Sequence, residues 1–220
     1  MQYIFSEDAG EPQLNLSNEL YKYIVKVRRF KVDDELKFRN LKDDNLYRYK
    51  IQDISKRSLT LSLVDFELSK NNLEDFEIFW CVIDNKTIEK SLPLLNQIGV
   101  TKITFLYCDR SQKNFKLDFQ RFKSIVINSN QQCGRVHVME FGFSNSLHEV
   151  LEQNSDIYIL DFGGDTKLNN KIKKVLIGCE GGFSDKEREL FSKNSKISFK
   201  KPHILKSETA CIAIASKLIL

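Results

Sequence analysis

Nine glycines are few for 220 residues, and three of them crowd into Gly178-Cys179-Glu180-Gly181-Gly182-Phe183-Ser184, between the apolar run Val175–Ile177 and a helix-like segment. A glycine-rich strand-to-helix turn lets backbone amides approach a small ligand closely, as nucleotide sites do. The pattern is not Gly-x-Gly-x-x-Gly and no Gly-Lys-Ser/Thr follows, so dinucleotide and Walker-type phosphate sites do not fit. Glu180 gives the turn a sign: a carboxylate repels a phosphate and favours a cation. At ~5 Å and an effective dielectric of ~20, unit charges interact by roughly 3 kcal/mol, enough to change ligand class. The alternative is a tight turn whose Glu180 accepts nearby backbone N–H groups. Ser184-Asp185-Lys186-Glu187 has capping-box spacing, with Ser184 as N-cap and Glu187 reaching back.

A second constellation, His203-Ile204-Leu205-Lys206-Ser207-Glu208-Thr209-Ala210, leads from a strand into the apolar helix CIAIASKLIL. Glu208 and Thr209 in a first helical turn complement the macrodipole, which by itself accounts for them. A catalytic thiol is not expected. A helix N-terminus would lower the thiol pKa of Cys179, but Glu180 works against it and no His is near in sequence. Paired carboxylates for hydrolysis are equally unsupported. The Cys at 81, 108, 133, 179 and 211 form no CxxC motif, and His137, His148 and His203 lie far apart. Neither a metal site nor a redox pair is signalled, and the thiols are expected to be structural, buried and reduced.

The elements that position these residues belong to a globular chain. Hydrophobic residues at 41% and charged residues at 29% set aside disorder and fibrous structure. The length suits one large domain or two small ones. No apolar run approaches the roughly 18 residues that span a bilayer. The N-terminus turns acidic at Glu7-Asp8 before any signal-peptide apolar region, so a cytoplasmic protein is expected, with no membrane partner. A net charge of +4 names no partner, but basic residues cluster: Lys22 to Lys31, Arg110 to Lys123 (including Lys113), and Lys193 to Lys206. These are either a polyanion footprint on one face or solvated faces whose acids lie nearby in space.

Residues 1 to about 70 read as short strands at 36–38, 47–51 and 59–63, with apolar–polar alternation. One helix from about Ser17 to Arg29 interrupts them, capped by Ser17, with Leu20, Ile24 and Val27 on one side. A small β-barrel-like module is the economical reading. After the polar junction Ser69-Lys70-Asn71-Asn72 the rhythm changes to strand-length apolar runs at 78–83, 103–108, 136–141, 157–162, 175–177 and 197–199. Helix-like segments at 86–98, 118–132, 145–153, 185–193 and 208–219 separate most of them, with Pro93 inside the first. This alternation implies a mainly parallel sheet covered on both faces. The expected domains are 1–72 and 73–220.

Taken together, the two constellations resemble one family. IGCEGGFSDKE is similar to G-P-E-G-G-F-S-x-x-E, and ILKSETACIA to I-L-R-x-E-T-A, signatures of the RsmE-type methyltransferases of the SPOUT superfamily. Weaker similarities run through Tyr23 to Arg29, Gln97 to Val100, Arg110-Ser111 and Gln132 to Arg135. The resemblance implies an α/β SPOUT trefoil-knot methyltransferase domain behind an N-terminal PUA-like β-barrel that binds RNA. It implies a homodimer that transfers the methyl of S-adenosyl-L-methionine (SAM) to N3 of a specific uridine in 16S rRNA, on the RNA or the small ribosomal subunit, without a metal. By position, SAM would be bound by Leu160, Asp161 and Gly163; by Ile177, Gly178, Glu180, Gly181 and Gly182; and by Ile204, Leu205, Glu208, Thr209 and Ala210. Arg28, Arg29, Arg110, Arg135 and Lys206 would hold RNA. The chain departs from the family at Cys179 for Pro, Lys201-Pro202-His203 for G-x-R, Lys206 for Arg and Tyr23 for His. The departures keep open a second reading, an RNA-binding protein of this fold with altered or lost catalysis.

Overall fold

The computed structural model describes residues 2–68, 74–112, 116–164, 167–200 and 203–220. The junction at 69–72, Lys113, Lys201 and Pro202 lie outside the described residues. The chain forms two compact units, one of residues 1–72 with 130–137 and one of residues 73–129 with 138–220.

The first unit is a five-stranded sheet: β1 (Ile4–Phe5), β2 (Gln13–Ser17), β3 (Glu35–Arg39), β4 (Asn45–Ile54) and β5 (Ser58–Leu68), in the order β1-β3-β4-β5-β2. Only β1 pairs parallel. Alternation turns Phe38, Tyr49, Ile51, Leu59 and Leu61 into one core with Leu14 and Ile24, and the Phe38 and Tyr49 rings meet edge-on at 5.4 Å. The segment expected as one helix is instead α1 (Asn18–Tyr21) running into a π-helical turn, Lys22–Val27. Arg28 N–H bonds the carbonyl of Tyr23 at 2.9 Å, five residues back. The wider turn breaks the helical phase, so Ile24 is buried while Val27 is 67% exposed. Ser17 stands at the N-terminus but makes no side-chain cap bond. Residues 130–137 join this unit through Tyr3, whose hydroxyl donates to the Arg135 carbonyl at 2.7 Å.

The second unit is a six-stranded parallel sheet: β6 (Glu77–Cys81), β7 (Lys102–Leu106), β8 (Glu140–Ser144), β9 (Tyr158–Leu160), β10 (Lys174–Ile177) and β11 (Lys196–Ile197). Helices α2 (Asn85–Ile98), α3 (Phe119–Cys133), α4 (Leu147–Gln153), α5 (Asp185–Leu190) and α6 (Ser207–Ile219) connect and follow the strands. Pro93 sits well inside α2 rather than in its first turn. The strand expected at 136–141 lies instead at 140–144, because residues up to His137 pack with the first unit. The sheet order is β11-β9-β10-β6-β7-β8. From β6 the chain steps outward through β7 to β8, then returns to build β9, β10 and β11 on the other side. The β10–β6 pair is therefore the switch point, and ligands of open parallel sheets bind outside the carboxyl ends of strands at such a point. Trp80, Phe105 and Phe122 fill the core behind it.

Candidate active site

A cavity of about 450 Å³ opens at the carboxyl ends of β9 and β10, within the ~300–1,000 Å³ typical of small-molecule sites. Three stretches of chain build it. Leu160 ends β9 and Asp161, Phe162 and Gly163 follow it; Ile177 ends β10 and the chain from Gly178 through Phe183 leaves it; Ile204, Leu205, Ser207 and Ala210 lead into and start α6. Arg110 enters from the loop after β7, Arg188 from α5, and Ser198, Phe199 and His203 complete the wall.

The glycine turn is held by local chemistry. Gly182 N–H bonds the Cys179 carbonyl at 2.9 Å, closing a four-residue turn, and Gly182 has φ +65°, where a β-carbon is disfavoured. Beside it the chain runs so close to β11 that a β-carbon on Gly164 would lie 2.5 Å from the backbone of Ile197. Past the turn, the expected capping box is present: Ser184 Oγ accepts from Glu187 N–H at 3.2 Å, and Glu187 Oε2 accepts from Ser184 N–H at 2.8 Å. The other Glu187 oxygen accepts from Asp109 N–H at 2.8 Å, tying α5 to the loop after β7. Burial pushes the Glu187 carboxyl up from its ordinary value.

Charges at the cavity are unequally compensated. Asp161 is buried against Arg188, which donates from Nε at 2.8 Å and Nη2 at 3.2 Å, a bidentate pair that raises the Arg188 pKa. Arg110 Nη1 donates to the Gly181 carbonyl at 2.7 Å. Glu180 is exposed, and among the described residues its carboxylate takes no hydrogen bond or ion pair, unlike the tight-turn alternative. Below the turn, Trp80 Nε1 donates to Ser207 Oγ at 2.8 Å, and Ser207 Oγ donates to the Gly178 carbonyl at 2.5 Å. A concave site with backbone polar groups, apolar walls and one free carboxylate suits a ligand that is partly flat and apolar and partly cationic.

Eleven of the residues expected at the cofactor line the cavity: Leu160, Asp161, Gly163, Ile177, Gly178, Glu180, Gly181, Gly182, Ile204, Leu205 and Ala210. Glu208 and Thr209 do not. Successive helix residues turn by about 100°, so α6 presents Ser207 and Ala210 to the cavity and carries the two between them away. Lys206 is exposed at the start of α6 and does not line the cavity. Arg28 and Arg29 are exposed in the first unit with no acidic partner among the described residues. Arg135 corrects the expectation of an RNA-facing residue: it is only 6% exposed, and burial lowers its pKa to about 10. Cys133, expected buried, is exposed, while the other four cysteines are buried. Sequence reasoning placed Ser207 within the second constellation without giving it a role, and it missed Arg188. The position of Arg188 four residues after the cap Ser184, on the same helix face, is the signal that could have found it.

Comparison with known proteins agrees with this geometry. A family model described as an RNA methyltransferase domain matches residues 69–219, and one described as an RNA methyltransferase PUA domain matches residues 16–64. A ribosomal RNA small subunit methyltransferase E of Helicobacter pylori (strain J99) is 38% identical over 224 residues, covering 98% of both chains. Its counterpart from Aquifex aeolicus is 27% identical, covering 100% of this chain and 99% of that one. Among solved structures, a methyltransferase of Legionella pneumophila in complex with SAM aligns with TM-score 0.80 at 22% identity, covering 99% of this chain and 96% of its own. The ribosomal RNA small subunit methyltransferase E of Neisseria gonorrhoeae, bound to S-adenosyl methionine, aligns at 0.78 and 17%, covering 98% and 95%. The fold is the α/β SPOUT methyltransferase fold with an N-terminal PUA-like domain. Since the 38% identity runs through both units rather than one, the chain belongs to the ribosomal RNA small subunit methyltransferase E family.

Proposed function

We propose that this chain is a SAM-dependent methyltransferase that methylates N3 of a uridine in 16S rRNA. The observation that carries the reading is the exposed Glu180 carboxylate, unpaired among the described residues, in a glycine turn that walls a partly apolar cavity. When bound, SAM supplies a methyl group on a positively charged sulfur. Glu180 favours that charge, Leu160, Ile177, Ile204 and Leu205 cover the flat adenosyl part, and the backbone from Gly178 to Gly182 offers N–H and C=O groups. Glu208 and Thr209 act through the α6 N-terminus rather than by contact. The target base leaves its stack at a cost of about a few kcal/mol. Uracil N3 carries a weakly acidic proton, and Arg110, at the cavity edge, stabilises negative charge on the uracil oxygens as it is lost. Residues 1–72 are the RNA-binding domain and 73–220 the catalytic one, with Arg28, Arg29 and Lys206 on RNA phosphates. The enzyme works in the cytoplasm as a homodimer.

Incubation with SAM and undermethylated small subunits is expected to yield N3-methyluridine, read by mass spectrometry of the nucleosides. SAM binding in calorimetry without any methyl transfer to those subunits would favour an RNA-binding protein with lost catalysis, to which the departures at Cys179 and Lys206 point. A chain that binds no SAM would overturn the reading outright.

A further inference from the structure

Three cysteines far apart in sequence meet where three neighbouring strands end. Cys179 follows β10 in the glycine turn, Cys81 closes β6, and Cys108 lies two residues beyond β7. The sulfurs of Cys108 and Cys179 are 3.4 Å apart, and the Cys81 thiol also lies against Cys108. Ser111 holds Cys108 from two sides: its Oγ accepts from Cys108 N–H at 3.2 Å and sits 3.2 Å from the sulfur. Hydrogen-bond contacts with Cys179, Cys81 and Ser111 draw the Cys108 thiol pKa down against the effect of burial, and the contact with Cys108 pushes Cys179 up. Of the pair, Cys179 lines the cavity, which gives a small neutral oxidant its route to that sulfur, with Cys108 directly behind it.

We propose that Cys108 and Cys179 are a reversible redox pair, which hydroperoxides convert to a disulfide that disables the cavity. One sulfur of the pair attacks a peroxide oxygen; an S–O bond forms, the O–O bond breaks, and the departing hydroxide takes the proton that this thiol gives up and leaves as water. The second sulfur then attacks the sulfenic sulfur; the S–S bond forms, the S–O bond breaks, and the leaving hydroxide takes the second thiol's proton. Two electrons pass from the two sulfurs to the peroxide, and a dithiol returns them with two protons. A disulfide spans about 2.05 Å between sulfurs, so the turn and the loop after β7 must draw together. That movement acts on the turn from both ends, because the Cys179 carbonyl holds Gly182 N–H and Arg110 holds the Gly181 carbonyl. Shifts near 1 Å in a binding site can cost about a hundredfold.

The bond itself does not depend on the methyl-donor reading; only its consequence for SAM does. The test treats the full chain with hydrogen peroxide, blocks free thiols under denaturing conditions and maps the peptides. A Cys108–Cys179 linked peptide is expected, reversed by dithiothreitol and absent from Cys108→Ser and Cys179→Ser variants, with exposed Cys133 as the internal record that oxidant was present. Excess SAM is expected to slow the linkage, and the oxidised protein to bind SAM at least tenfold more weakly until reduced. Oxidised Cys133 beside fully blockable Cys108 and Cys179, or a Cys81–Cys108 link instead, would overturn the pair. A linked protein with unchanged SAM affinity would overturn its effect on the cavity. A reduced protein that never bound SAM would instead count against the proposed function and leave the disulfide standing.

Discussion

Glu180 and Asp161 are both carboxylates at one cavity, and their partners give them different work. Asp161 is neutralised by the two-pronged contact with Arg188 and serves to brace α5 against the end of β9. Among the described residues Glu180 has no such partner, and it adds a negative charge at the cavity. Replacing it tests charge rather than shape: Glu180→Gln is expected to weaken SAM binding about three- to fivefold, the scale of an exposed ion pair. S-adenosylhomocysteine, whose sulfur is neutral, should bind as before, and calorimetry with both ligands reads the difference. Equal losses for the two would show that Glu180 acts through the turn's shape. That this turn lines a cavity was legible in the sequence, since a carboxylate among glycines is unusual enough to be read there. Asp161 and Arg188 were not legible as a pair, because sequence separation hides a contact made across two elements.

At the scale of elements, one hydroxyl joins three. Ser207 opens α6, donates to the glycine turn after β10 and accepts from Trp80 in β6. An indole N–H can only donate, so the serine proton must point to the Gly178 carbonyl, and the order of the chain is fixed. Ser207→Ala leaves a buried indole N–H and a carbonyl without their partner, which costs about 1–3 kcal/mol. Thermal or urea unfolding should show that loss, together with weaker SAM binding; a change confined to unfolding would restrict Ser207 to a structural role. Much of this scale was legible: the capping box at Ser184 and Glu187 formed as its spacing implied, and α2 follows its apolar periodicity closely. Two elements were not. The π-helical turn at Lys22–Val27 has no propensity signature, and the helical phase counted through it placed Val27 inside when it is exposed. The apolar residues near Val136 read as a strand because burial, not strand pairing, selected them.

For the whole molecule, charge placement separates where net charge did not. Lys22 and Arg121 sit in basic runs but pair with Glu19 and Glu89, so part of the positive patterning is spent on the protein's own acids. Arg28 and Arg29 are exposed and have no acidic partner among the described residues, so on the proposed function a salt-dependent hold on RNA is expected to act through them. A double variant, Arg28→Gln with Arg29→Asn (asparagine because φ is +60° at that position), is expected to weaken rRNA binding. It should also lower the slope of log affinity against log salt by roughly two. SAM affinity measured in parallel should not move. An unchanged slope would place the RNA contact elsewhere on the chain.

The buried indole has a consequence beyond packing. Trp80 is the single tryptophan of the sequence, it is fully enclosed, and it lies two hydrogen bonds from the glycine turn. Light emitted by indole therefore comes from one place only, the core beneath the glycine turn. Nature has placed a chromophore where an experimenter would have put a label, and whatever displaces that turn writes itself into the colour and intensity of the protein's own fluorescence.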